Sequence, residues 1–316
     1  MRFTDRNSTR SGKAHIFKGV WKKMLITEKQ RLKSFFIFIV PAFLLYTFFI
    51  IVSIAQSFYY SLTDWNAIAY PVFRGLKNYI RFFNDADFKI VFNNTLLQLV
   101  IILFTQIPLG MIIAYFIFRT KRAFRIYRFL VFLPVILSAS AVALLFTLLL
   151  NTDFGPVNTI LSSLGLENLR QIWLSDPKIV FYSVLSPMVY QSIGINVIIM
   201  LAGMQTLPEV IFESALIDGS NSVKTFINIV IPMLRDIIMT CVILMTSNVF
   251  KSFEHSYVMT WGGPGVRSSF LGVYMYMESF RKYNFGKGSA IAIVILIVSM
   301  FFIMIFNRVR KHDIDI

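Results

Sequence analysis

The chain has 316 residues, 56% of them hydrophobic and only 15% charged, with 33 phenylalanines and a formal net charge of +15. That is the composition of a membrane protein, and a single cysteine, Cys241, excludes an intrachain disulfide framework. Catalysis is disfavoured as well: His15, His255 and His312 lie outside the apolar runs and far apart, giving no metal or nucleophile cluster, and no G-x-x-x-x-G-K-S/T loop exists to cradle ATP phosphates.

Residues 1–33 carry ten of the 31 Lys and Arg and read as a basic cytoplasmic segment. Their density suits a topology determinant beside anionic membrane lipid better than a nucleic-acid arm, so lipid is an expected partner and nucleic acid is not. Uncharged runs follow at 34–63, 90–118, 129–152, 179–207, 237–250 and 288–307. The first is too long for a signal-peptide core and lacks a small-x-small exit, so it reads as a retained span. Five runs reach the roughly twenty residues a helix needs to cross a bilayer. The fifth in order has only 14 residues between Asp236 and Lys251 and must extend through one or both flanking charges. Its Thr240, Thr246, Ser247 and Asn248 predict a helix buried among the others.

The expected fold is therefore all-α: six transmembrane helices over residues 34–307, between the basic segment 1–33 and a tail at 308–316. The tight loop 119–128 carries five basic residues and the tail three; with the N-terminal segment, Lys224 and Arg235, 20 of the 31 basic residues fall on one set of alternating loops. The positive-inside rule then puts both termini and loop 212–232 in the cytoplasm. The other connections, 64–89, 151–178 and 251–287, are longer, contain Trp65, Trp173 and Trp261, and have room for short interfacial helices. Pro41, Pro108, Pro134 and Pro187 fall inside apolar spans, where neighbouring helices can repair a kink.

Two groups of residues carry functional expectations. In loop 212–232, residues 211–217 fit two helical turns with Phe212, Ala215 and Leu216 on one side, beside the acidic Glu213. Asp218 and Gly219 supply a C-terminal stop, because glycine accepts the left-handed conformation there. An ordinary polar inter-helix loop with a C-cap is the bland alternative. The second group lies on two spans. Met245, Asn248, Val249 and Ser252 recur at i, i+3, i+4 and i+7, one face of a helix, and Gln191, Ser192 and Ile195, with Tyr190 beside them, form a patch on the preceding span. Polar groups mixed with apolar ones suit a path for an uncharged polyhydroxy solute. The same side chains can simply bond neighbouring helices, at about 0.6 to 2 kcal/mol each.

The spacing of Glu213, Ala215 and Gly219 with Ile229, Ile231 and Pro232 resembles the EAA loop of ABC-importer permeases, with Ser214 and Ile231 departing from the usual residues. SLTDWN at 61–66, GLKNYIRFF at 75–83, FNNTL at 92–96, FLP at 132–134 and TWGGPG at 260–265 are similar to landmarks of sugar-importer permeases of the maltose and glycerol-phosphate type, covering about residues 35–307. The resemblance implies the type I ABC-importer permease fold and a multi-pass subunit of a bacterial cytoplasmic (inner) membrane. It implies that Phe212, Glu213, Ser214, Ala215, Asp218, Gly219 and Pro232 couple to an ATPase. Implied partners are a second permease subunit, two ATP-binding subunits and an extracytoplasmic solute-binding protein, with ATP and Mg held by the ATPases and no cofactor on this chain. SLTDWN and TWGGP point to the first permease of such a pair. Aligned on Glu213, the candidate path residues occupy positions that contact sugar in maltose-type relatives, with different side chains. The runner-up is an ion-coupled secondary transporter or channel, which usually carries charged residues inside its spans; five of the six spans here have none. A membrane-embedded enzyme comes third, without a catalytic cluster.

Overall fold

The structure is a computed structural model describing residues 28–120 and 123–312. Most of the basic N-terminal segment, residues 1–27, and residues 313–316 of the tail lie outside the described residues. The chain divides into two compact units, residues 1–56 and 57–316.

In the first unit, helix α1 (Glu28–Thr47) passes through a π-helical turn, Phe48–Val52, into α2 (Ser53–Ser61). Lys33–Ser61 is one apolar stretch long enough to cross a membrane. Phe35, Phe38, Phe43 and Phe48 are exposed along it, as lipid-facing side chains are.

The second unit takes up the chain within α2, at Ser57, and continues through a small antiparallel ribbon, β1 (Thr63–Asp64) on β2 (Val72–Phe73), to α3 (Lys77–Asn84). Two of the sequence landmarks meet here: Asn78 Nδ2 donates to the carbonyls of Ser61 and Thr63, and Tyr79 OH to Ser61 Oγ. Asp85 caps α4 (Ala86–Arg119), accepting from the Asp87 N–H, and this 34-residue helix forms the axis of the unit's packing.

The run 129–152 was expected as one span, and the structure shows it as a bent pair of helices that counts as one span toward six. It forms α5 (Phe124–Ile136) and α6 (Ala139–Leu149), bent by 93°. The chain is extended at Leu137 and Ser138, Ser138 Oγ accepts the Ala141 N–H, and Gln191 Nε2 donates to the Leu137 carbonyl at 2.8 Å. A polar cap and a side chain from the next span thus satisfy groups that a break in an apolar helix leaves bare.

After the short α7 (Pro156–Ser163) comes α8 (Val180–Met204). It packs closely on α5 because Gly194 has no side chain: a Cβ there would run into the Val131 carbonyl. Loop helices α9 (Glu209–Ile217), α10 (Ser222–Thr225) and α11 (Ile231–Met233) lead, through a 70° bend at Leu234, into α12 (Arg235–Phe250). As expected, this span extends through Asp236 and Arg235 and buries Cys241, Met245, Thr246, Val249 and Phe250 among its neighbours. The chain continues through α13 (Glu254–Thr260) and α14 (Leu271–Tyr276) to the last span, α15 (Phe285–His312). Among the described residues, four helices are long and apolar enough to cross a membrane, or six when each bent pair counts as one span.

Candidate functional site: a polar cavity joined to an exposed loop

Two buried apolar clusters organise the second unit. One gathers Phe82, Phe88, Val184, Phe270 and Tyr274; the other gathers Met111, Met200, Met204, Val230, Leu234 and Cys241. Between them the packing turns polar. Gln106 on α4 donates to Ser192 Oγ at 2.5 Å and accepts from Asn196 Nδ2 at 2.9 Å, both on α8. Gln98, two turns earlier on α4, donates to Ser252 Oγ at 2.8 Å and to the Met188 thioether at 3.3 Å.

These side chains wall a cavity of about 380 Å³ bounded by α4, α5, α8, α12 and the start of α13. Of the sequence-derived path residues, Gln191, Ser192, Ile195, Met245, Asn248, Val249 and Ser252 all line it. Tyr190 does not, which corrects its assignment. Consecutive helical residues point about 100° apart, so Tyr190 lies on the far side of the helix from Ser192, and it packs on Phe146 with ring centroids 5.8 Å apart. The two leading polar candidates also differ from each other. Gln191 donates its amide to the Leu137 carbonyl and holds the α5–α6 break, whereas the Asn248 side chain is exposed in the lining and has no hydrogen bond among the described residues.

Sequence reasoning missed the α4 wall. Gln98, Ile102 and Gln106 line the cavity from α4 and, with Asn94 one turn earlier, recur every four residues; that stripe was the available signal. Asn94 donates to the carbonyls of Arg267 and Ser269, tying α4 to the segment after the TWGGPG turn. That turn is rigid by construction: Trp261, Gly262 and Gly265 have positive φ, and Ser268 Oγ donates to the Gly263 carbonyl at 2.7 Å.

The loop between α8 and α12 has a braced side and a bare side. Phe212 packs on Phe118 at the end of α4, with ring centroids 5.4 Å apart, and Ala215 is buried. Tyr115 on α4 donates to the Ser222 carbonyl and lies against the Phe226 ring. Leu216, expected on the same side as Phe212 and Ala215, is instead exposed, as are Val210, Ile217 and Val223. Glu213, Ser214 and Asp218 face outward with them, and Ser214 Oγ returns to the Val210 carbonyl. The expected stop is present. Gly219 has φ +71°, its N–H bonds the Leu216 carbonyl, and the Ser220 N–H bonds the Ala215 carbonyl, the paired bonds of a Schellman cap. Pro232 is exposed within α11, just before the bend into α12.

A helical membrane bundle with a polar internal cavity and an exposed loop joining two cavity walls defines a transport-type subunit. Residues 106–312 match the family described as binding-protein-dependent transport system inner membrane component, and the chain belongs to that family. It is similar to "Probable ABC transporter permease protein YurN" of Bacillus subtilis (strain 168), 31% identical across 84% of this chain and 91% of the relative. It is also similar to "Trehalose/maltose transport system permease protein MalF" of Thermococcus litoralis, 27% identical across 89% of this chain and 94% of the relative. Its fold matches a chain of the crystal structure of a bacterial alginate ABC transporter in complex with an alginate pentasaccharide-bound periplasmic protein, with a TM-score of 0.72, 18% identity and 98% of each chain covered.

Proposed function

We propose that this chain is the transmembrane permease subunit of an ATP-driven, binding-protein-dependent importer of sugars, with an oligosaccharide as the cargo. One observation carries the reading: the exposed loop connects α8 and α12, and both of those helices line the polar cavity. Displacement of the loop by a partner is thereby delivered to the cavity.

In this reading the chain works with a second permease, two ATP-binding subunits and an extracytoplasmic solute-binding protein. It sits in the bacterial cytoplasmic membrane with both termini inside. ATP and Mg are held by the ATPases, and the outer surface of α9 around Glu213 to Gly219, with Leu216 and Ile217, seats against them. ATP closure then reorients the cavity from cytoplasm to exterior, where the binding protein delivers sugar. The loop drives this change only to the extent that it binds the two ATPase states with different affinity. Inside the cavity Asn248, Ser192 and Ser252 offer hydrogen bonds, while Met245, Val249 and Ile195 offer apolar surface to ring C–H groups.

Tagged chain purified with the products of neighbouring genes tests the proposal. A complex with a second six-span chain and two ATPases, importing sugar only with ATP and binding protein, is the expected result. Uptake driven by an ion gradient without ATP would establish the secondary-transporter reading instead.

A further inference from the structure

We infer that Gln98 and His255 form a hydroxyl-reading subsite of the cavity, selecting a neutral polyhydroxylated ligand there over one presenting a carboxylate or sulfonate. The inference rests on the sugar-import reading and narrows its substrate class.

Among the described residues, Gln98 Oε1 and His255 Nε2 are the two fully buried side-chain oxygen or nitrogen atoms that lack a hydrogen-bond partner. Their residues are 0% and 8% exposed, and both belong to the cavity lining, from opposite directions in sequence: Gln98 on α4, His255 in the first turn of α13. Buried polar groups are almost always paired, so two orphans on residues that line one cavity call for a partner there.

The chemistry of that partner follows from the atoms left over. Both hydrogens of the Gln98 amide are committed, to Ser252 Oγ and to the Met188 thioether. Reversing the amide gives no relief, because it would strand the donors in place of the acceptor. The free atom is an acceptor only and requires a donor. Burial pushes the His255 imidazole down to about 4, with Glu254 opposing the shift, so the ring is neutral at physiological pH. A neutral Nε2 donates or accepts according to its tautomer. A ligand hydroxyl satisfies either form and, as a donor, satisfies Gln98 as well. A carboxylate offers acceptors to an acceptor and finds no cation in the imidazole. Lys251 supplies one, but Glu254 lines the same mouth with the opposite charge.

The test uses the complete importer in proteoliposomes with its binding protein. Probes are trehalose, maltose, maltotriose and raffinose on one side, digalacturonate and dimannuronate on the other. Gln98→Met and His255→Phe keep side-chain volume and remove the polar atom; His255→Gln keeps a donor and an acceptor. Expected at subsaturating probe is a loss of roughly fivefold to tenfold in neutral-sugar uptake for the first two variants, the scale of one lost hydrogen bond. Complex yield should be unchanged, the neutral-to-acidic ratio should fall, and His255→Gln should recover most of the uptake. An unchanged ratio, or equal loss of yield and ATP hydrolysis for every probe, reduces the pair to packing and overturns the inference. Wild-type preference for an acidic probe overturns it while leaving sugar import intact. Wild-type uptake of no sugar at all removes the sugar reading and the inference together.

Discussion

Asn196 Nδ2 donates to Gln106 Oε1 across 2.9 Å, joining α8 to α4 at two positions that are 2% and 0% exposed. Inter-helix hydrogen bonds in membranes contribute only about 0.6 kcal/mol on average, whereas an orphaned buried amide costs about 1 to 3 kcal/mol. The orphan effect therefore decides the outcome. Gln106→Leu and Asn196→Leu should each lower the thermal midpoint of the purified complex, and the double variant should be less destabilised than the two effects added. Uptake should stay low in all three, since the cavity wall has lost its polar groups. Strict additivity of the two effects would show that the pair is not a unit.

Lys287 Nζ lies 2.8 Å from Asp85 Oδ2 and 3.4 Å from Glu278 Oε2, and Tyr274 OH donates to the same Asp85 oxygen. Glu278 is nearly fully buried and also pairs with Lys282. The cluster ties the starts of α4 and α15 to the turn after α14. Burial raises the Asp85 carboxyl, but the Lys287 and Tyr274 hydrogen bonds outweigh it and hold the group below its ordinary 3.8. A depressed folded value means this stabilisation is complete above 3.8 and is lost as pH falls through the lower folded value. Thermal scans of the complex should show an acid limb there that Asp85→Asn flattens. Lys287→Met leaves the partly exposed Asp85 without its cation and Glu278 with Lys282 alone, and should cost about 1 kcal/mol at neutral pH; an unchanged midpoint would rule out the cluster as a structural tie.

Orientation is open to cysteine labelling in a Cys241→Ala background. Single cysteines at Ala123 and Val223 report the side carrying the basic loop and the loop between α8 and α12; those at Ser163 and Arg267 report the other side. Ser268, beside Arg267, is unsuitable because it is fully buried and hydrogen-bonded. Positive-inside counting requires the first pair to be shielded from an impermeant reagent in intact cells and the second pair to react. The reverse pattern would invert the orientation.

The parts of this architecture legible in the sequence were those written in local pattern. Apolar run length gave the spans, the 14-residue run required helix α12 to pass one or both of its flanking charges, and Gly219 marked its own left-handed stop. The 93° break was not legible because its cause is tertiary: Gln191, 54 residues away, satisfies the Leu137 carbonyl. Leu216 was misplaced for a similar reason. The braced side of α9 is set by the position of Phe118 on another helix, and no pattern within residues 211–217 encodes that. In the cavity, the α12 and α8 faces were found from periodicity plus the family resemblance, while the α4 stripe was passed over as ordinary span sequence.

The proposed coupling role of the loop rests on surface that no described residue of this chain covers. Ile217 is 87% exposed and Leu216 63%, next to Glu213, on a helix whose other side is fixed to α4. Ile217→Asp and Glu213→Ala should leave membrane abundance near wild type, because neither touches the brace, yet reduce co-purifying ATPase and uptake together. Gly219→Pro tests the geometry of the same element. Proline is locked near a φ of about −65° and has no N–H, so it cannot adopt +71° or bond the Leu216 carbonyl. The cap should open, α9 should lose its end point, and uptake should fall. Gly219→Ala keeps the N–H and pays only the left-handed strain of about 1 kcal/mol, so its loss of uptake should be the smaller. Full uptake in Ile217→Asp, Glu213→Ala and Gly219→Pro alike would sink the assignment of this loop as the ATPase contact.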